Sequence, residues 1–126
     1  MKPNILYIED NPDNMMLVKR VLQSRNYDLI EAQSGIHGLF IAETQALDLI
    51  LLDINLPDID GYEVARRLRA SENLALICVP IIAITANVMR GDAEKVLEAG
   101  CDLCLSKPIN IEELLENVEA LVGKKE

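Results

Sequence analysis

Four apolar residues, Leu49-Ile50-Leu51-Leu52, run without a break into the carboxylate of Asp53, and the segment then closes on Pro57, Asp60 and Gly61. An unbroken apolar run of this length, stopped by turn residues, fits a strand buried on both faces. A core strand does not account for Asp53, because an ionised carboxylate is costly to bury without a partner. Whatever fold the chain adopts must bring something to that carboxylate.

The chain of 126 residues is close to the commonest size of one domain, and residues 1–126 are read as a single one. Half of its residues are hydrophobic, which is a globular composition. Twelve basic against 21 acidic residues give a net charge of −9. That charge repels a phosphate backbone and disfavours direct nucleic-acid binding. Arg66, Arg67 and Arg69 make a small basic cluster, read as a solvated helix face. Cys78, Cys101 and Cys104 are odd in number, and Met1-Lys2-Pro3-Asn4 does not begin a secretory segment. Reduced thiols in the cytoplasm are therefore expected. No stretch approaches the ~18 apolar residues of a membrane span.

Taken in order, Ile5-Leu6-Tyr7-Ile8 predicts a first strand ending in Glu9-Asp10. Asn11-Pro12 is a helix start, followed by Met15, Val18, Val21 and Leu22 at helical spacing. Met15 and Met16, near the start of that helix, are candidates for core and partner surface respectively, roles that the sequence alone does not separate. A weaker strand runs from Tyr27 to Ala32, and Leu39, Ala42 and Ala46 mark a second helix in which Gly38 is out of place. His37 is placed in a polar loop at the surface. The opening stretch is the third strand, and Val64, Ala65 and Leu68 belong to a third helix. Pro80 to Ile84 forms a fourth strand ending in Thr85-Ala86-Asn87; Met89, Ala93, Val96 and Leu97 then make a fourth helix stopped by Gly100. Leu103 to Ser106 is a fifth strand ending in Lys107-Pro108. Asn110 caps a last helix with Ile111, Leu114, Leu115, Val118, Leu121 and Val122 on its apolar face.

Five strands alternating with five helices predict an α/β fold, an open parallel sheet covered on both faces. Ligands of such sheets bind outside the strands' carboxyl ends. Glu9-Asp10, Asp53, Thr85 and Lys107 all fall at that edge. Clustered carboxylates repel unless a cation joins them. Mg²⁺ suits them, with its preference for hard oxygens, and the backbone carbonyl of Asn55 could add another. A free oxygen of Asp53 can attack phosphorus. Lys107 offers a point charge and Thr85 a hydroxyl, and the small Ala86 leaves its backbone N–H open to a phosphate.

Glu9-Asp10, Asp53, Thr85-Ala86 and Lys107-Pro108, with Pro57 and Gly61, resemble the receiver domain of two-component response regulators over essentially the whole chain. The resemblance implies a flavodoxin-like doubly wound sheet of order 2-1-3-4-5. It implies that Asp53 accepts phosphate from phosphohistidine on a sensor histidine kinase or histidine phosphotransfer protein, with Mg²⁺. It further implies that Asp10 and Asp53 bind the metal directly, that Glu9 acts mostly through water, that Asn55 gives its carbonyl, and that Thr85 and Lys107 hold the phosphoryl group. A cis bond before Pro108 is part of the same pattern. The first helix, around Met16 and Arg20, with the loop after Lys107, would meet the donor. The fourth helix, fifth strand and fifth helix would meet a downstream target. One position departs: three residues before the lysine, where receivers often carry an aromatic that swings with the threonine, stands Cys104. None of Tyr7, Tyr27, Phe40 and Tyr62 is expected near that face.

Other readings are weaker. A structural ion-pair cluster is a poor route to stability. A small aspartyl-phosphate phosphatase of the haloacid-dehalogenase type would need its nucleophile after the first strand and an acid where Asn55 stands. A flavodoxin would meet an acidic first loop and few aromatics. A receiver-like scaffold that works unphosphorylated is the remaining alternative. Cys101-Asp102-Leu103-Cys104 spells C-x-x-C, but a redox pair should open a helix and zinc needs two more ligands. On a strand the spacing would point the two thiols to opposite faces.

Overall fold

A computed structural model describes residues 2–86 and 91–122. Its elements are β1 (Asn4–Ile8), α1 (Pro12–Ser24), β2 (Asp28–Ala32), α2 (Gly35–Thr44), β3 (Leu49–Asp53), α3 (Gly61–Arg69), α4 (Leu74–Cys78), β4 (Ile81–Thr85), α5 (Asp92–Ala99), β5 (Leu103–Ser106) and α6 (Ile111–Val122). The strands form one parallel sheet in the order β2-β1-β3-β4-β5, the expected flavodoxin-like arrangement. Met89 and Asn87 lie outside the described residues.

β3 is the centre. It pairs with β1 on one side and β4 on the other, and all five of its residues are buried. Its alternation divides the core into two layers. Ile50 and Leu52 join Val64, Ala65 and Leu68 of α3 and Val96 of α5, whereas Leu49 and Leu51 join Val18 and Leu22 of α1 and Leu114 and Val118 of α6. Helices on both faces explain why the strand is apolar from Leu49 to Leu52.

Local chemistry sets the helix ends. The Asn11 side chain accepts the amides of Asp13 and Asn14 at the start of α1. Asn110 accepts the amide of Glu113 in the same way for α6. α2 begins at Gly35, with Ser34 accepting from the His37 amide. His37 therefore sits in the first turn of a helix, exposed, and not in a loop. Gly38 is required by packing: a Cβ there would come within 2.4 Å of Ile8 Cδ1, so the glycine lets α2 close on β1. The Asp58 carboxylate, from the loop after β3, accepts the amides of Gly35 and Ile36 at 2.8 Å each. It ties that loop to the start of α2, and these bonds hold its pKa below the usual carboxylate range against the opposing effect of desolvation.

Three expectations need correction, on the helix count, on Arg69 and on the cysteine pair. A sixth helix, α4, occupies the stretch before Pro80. At five residues it is too short to show a helical period. Arg69 is not on a solvated face. Its side chain is 19% exposed, and it donates to the carbonyls of Leu76, Ile77, Val79 and Gly100 and to Asp102. Arg66 and Arg67 do behave as expected, paired with Glu63 at the surface. Leu97 points outward, 55% exposed, and the packed side of α5 is Val96 and Ala99. Cys101 and Cys104 are not split between faces, because Cys101 precedes β5 and both sit in the α3–α5 layer. Burial pushes the Cys101 thiol up to about 12 and raises Cys104 as well, so both stay protonated. Met15 is buried and Met16 is 62% exposed, which settles their division between core and surface.

Candidate functional site

The carboxyl edge of the sheet gathers the predicted residues. β1 and β3 run side by side in register, Ile8 against Leu52, so Glu9, Asp10 and Asp53 leave adjacent strands at the same level. Their carboxylates supply oxygens that all lie within 4.8 Å of one another. Glu9 and Asp53 are buried, each 1% exposed, and Asp10 is open to solvent.

Each buried acid has partners. Lys107, delivered by β5 and followed by a cis peptide to Pro108, places Nζ 2.9 Å from Asp53 Oδ1. The Asn55 amide donates to the same oxygen at 3.2 Å. Asn55 is thus at the site through its backbone, its side chain being exposed. Glu9 Oε1 accepts from the Tyr7 hydroxyl at 3.0 Å and from Asn14 Nδ2 at 3.3 Å, and Oε2 accepts the Asn11 amide at 3.2 Å. Desolvation, followed by the shared hydrogen bond with Asp53 and its charge, pushes Glu9 up to about 7. Burial first, and the Glu9 charge second, drive the Tyr7 phenol upward too.

Thr85 ends β4, fully buried, and its hydroxyl donates to Asp92 Oδ2 at 3.0 Å. Asp92 opens α5. The backbone carbonyl of Thr85 accepts the Lys107 amide at 2.9 Å, which couples the ends of β4 and β5. Ala86 follows at the exposed rim.

One aromatic, Tyr62, was wrongly kept away from the Cys104 face, whereas Tyr7 belongs to the opposite layer, with α1 and α6. Tyr7 lies directly under Glu9. Tyr62, half-buried on α3, packs in the layer of Cys104, and burial, a hydrogen bond with Asp92 and the Asp92 charge push its phenol up to about 12. Tyr7 was legible, since residues two apart on a strand share a face and Glu9 continues that register. Asp92 and Tyr62 had no such signal, because nothing in their spacing ties them to Thr85.

A groove of about 450 Å³ opens from Glu9 and Asp10 along α1, past Met16, Lys19 and Arg20. Among the described residues no helix is long and apolar enough to cross a membrane.

The family model of the response regulator receiver domain matches residues 5–119. The chain belongs to that family. The receiver is 37% identical to the polar-differentiation response regulator DivK of Brucella ovis over 98% of both chains, and 35% identical to DivK of Brucella anthropi with the same coverage. Among solved structures, it is similar to the receiver domain of sensor histidine kinase PA1611 from Pseudomonas aeruginosa, which carries a magnesium ion coordinated in its active-site cleft. Identity there is 40% and TM-score 0.89, over 98% of this receiver and 100% of that chain. A putative response regulator from Chloroflexus aurantiacus superposes with TM-score 0.91 at 26% identity, covering 97% and 98%. The protein is a receiver of two-component signalling, a switch built on the flavodoxin-like sheet described above.

Proposed function

We propose that residues 1–126 form one receiver that takes a phosphoryl group from phosphohistidine onto Asp53 and changes its protein partners as a result. The observation that carries this reading is the setting of Asp53, buried at the end of the central strand, 2.9 Å from Lys107 Nζ and grouped with two further carboxylates. A structural ion pair would not need the extra acids.

The three carboxylates are a hard-oxygen donor set of the kind Mg²⁺ prefers. Asp10, Asp53 and the Asn55 carbonyl would hold it directly and Glu9 mostly through water. Bound there, it would neutralise charge on the phosphoryl oxygens. The Asp53 oxygen forms the new bond to phosphorus as the bond from phosphorus to the imidazole nitrogen breaks, and the histidine leaves with the electron pair. Lys107 turns from the Asp53 carboxylate to a phosphoryl oxygen, Thr85 donates its hydroxyl to another, and the Ala86 N–H faces a third. The chain catalyses its own labelling and slow hydrolysis and turns over no other substrate. The position two residues after Asp53 is Asn55, which cannot serve as the general acid of a phosphatase.

The donor, a sensor histidine kinase or a histidine phosphotransfer protein, would dock on α1 around Met16 and Arg20 and on the loop after Lys107, beside the groove. A downstream protein would read α5, β5 and α6, where Leu97 is exposed. The cytoplasm is the compartment this reading assigns, where the free thiols of Cys78, Cys101 and Cys104 stay reduced, with no direct nucleic-acid or membrane partner.

Mass spectrometry after incubation with acetyl phosphate and Mg²⁺ tests the reading. One added phosphate on the wild type, absent from Asp53→Asn, is expected. Equal labelling of Asp53→Asn would refute it. No label on the wild type under any donor would leave a phosphorylation-independent scaffold.

A further inference from the structure

The Thr85 hydroxyl has one hydrogen to give. In this structure it goes to Asp92 Oδ2, 3.0 Å away, at the first turn of α5. Thr85 itself is fully buried at the end of β4, one residue beyond the level of Asp53 in the register. The same carboxylate acts on Tyr62 of α3, and Cys104 lies in the same layer. A thiol is smaller than an aromatic ring, so the residue at 104 cannot fill and vacate the space beside Thr85 as a ring would.

We propose that Asp92 is a positioning residue for phosphoryl transfer: it holds the Thr85 hydroxyl in the resting state and must release it before a phosphoryl oxygen on Asp53 can receive that hydrogen. The proposal rests on the reading of Asp53 as phosphoacceptor. Two anionic acceptors compete for one donor, and hydrogen bonds to charged groups are the stronger kind, so the competition has a measurable cost. Release leaves Asp92 with Tyr62 and without Thr85. The change is then felt at the start of α5, in the element that the target would read. The link from threonine to surface thus runs through a carboxylate on α5, and an aromatic on β5 is not required.

The test is a mutant cycle read by the initial rate of Asp53 labelling with acetyl phosphate and Mg²⁺, each variant first checked for a native circular dichroism spectrum. Asp92→Ala is expected to raise the rate roughly three- to tenfold. Asp92→Asn, which keeps an acceptor oxygen but loses the charge, should gain less. In a Thr85→Ala background Asp92→Ala should give no gain, and Thr85→Ser, which restores the hydroxyl, should restore it. An equal gain with and without a hydroxyl at 85 would mean that Asp92 acts by charge alone and would overturn the proposal, as would no gain at all. A wild type that takes no label would overturn the phosphoacceptor reading and this proposal with it; labelling of the wild type with a flat cycle overturns only the role of Asp92.

Discussion

The hydroxyl of Tyr7 donates to Glu9 Oε1 at 3.0 Å, beneath the acidic edge of the sheet, and the two residues are almost fully shielded from water. The fold thus keeps a carboxyl in a place that disfavours its charge. Its value of about 7 lies above the ordinary 4.5, so the folded chain holds the Glu9 proton more tightly than the unfolded chain does. The stability this contributes is full below the unfolded value and is lost as pH rises through the folded one. With a chelator present, raising the pH from about 5 to about 8 should cost up to about 3 kcal/mol from this group, read as a fall in the urea midpoint. Saturating Mg²⁺ should shrink that loss, because a cation favours the ionised form. A midpoint that rose across the window would contradict the burial of Glu9.

Asp10 is the exposed member of the acidic trio. Asp10→Asn removes one repelling charge, so the metal-free protein should melt a few degrees higher than the wild type. The same variant should lose most of the rise in Tm that Mg²⁺ gives the wild type. Calorimetry with and without the ion checks both halves, and an undiminished Mg²⁺ response would remove Asp10 from the metal site.

Gly61 is where α3 starts against the site. A Cβ there would sit 2.6 Å from Ile54 Cα and 2.9 Å from the Asp53 carbonyl oxygen, both backbone atoms that cannot swing aside. Gly61→Ala should therefore cost about 2 kcal/mol or more of stability and slow the labelling of Asp53 at the same time. Chemical denaturation and the mass-spectrometric assay measure the two effects. A variant with normal stability and normal labelling would show that the turn relaxes without moving Asp53.

Arg69 is the fastener of the α3–α4 corner. Arg69→Ala strips donors from the carbonyls of Leu76, Val79 and Gly100, bonded at 2.7–2.8 Å, and leaves the Asp102 carboxylate with the Ile81 amide as its one donor among the described residues. A loss of about 3 kcal/mol is expected, with Arg69→Lys recovering less than half, since one ammonium cannot reproduce a planar fork spread over several carbonyls. The urea midpoints of the two variants decide it. Full recovery by lysine would mean that charge, not the fork, holds the corner.

Much of this was legible from the sequence because the informative residues stand at strand ends. Apolar runs closing on Glu9-Asp10, Asp53, Thr85 and Lys107 place those groups at one sheet edge by parallel topology alone, and the structure brings three of the acids and the lysine together. Contacts between residues far apart in the chain were not legible. Asp58 reaches back 23 residues to the α2 amides, Arg69 reaches forward 31 to Gly100, and neither has a period or a motif that announces it. Arg69 was misread for a physical reason: its neighbours Arg66 and Arg67 do lie on the solvated face, but Arg69, two residues past Arg67 and so about 200° around the helix from it, turns its side chain inward. Thr85 was located correctly, but its resting partner was not, because Asp92 looks like any acidic residue of a helix first turn.

The pairing of β3 with a neighbour along each side has a consequence for timing. Amides in a strand bonded on both flanks and covered above and below exchange with solvent only through the largest openings of the molecule. α5 leans on α3 and β5 at the rim with Glu94, Lys95, Leu97 and Glu98 exposed, so it is expected to open at lower cost. The aspartate that would carry the message therefore sits in the slowest-exchanging part of the chain, and the helix that would announce it in a faster one. On the proposed reading, a partner would be gripped and released many times by α5 while the acyl phosphate on Asp53 stayed in a frame that had not moved.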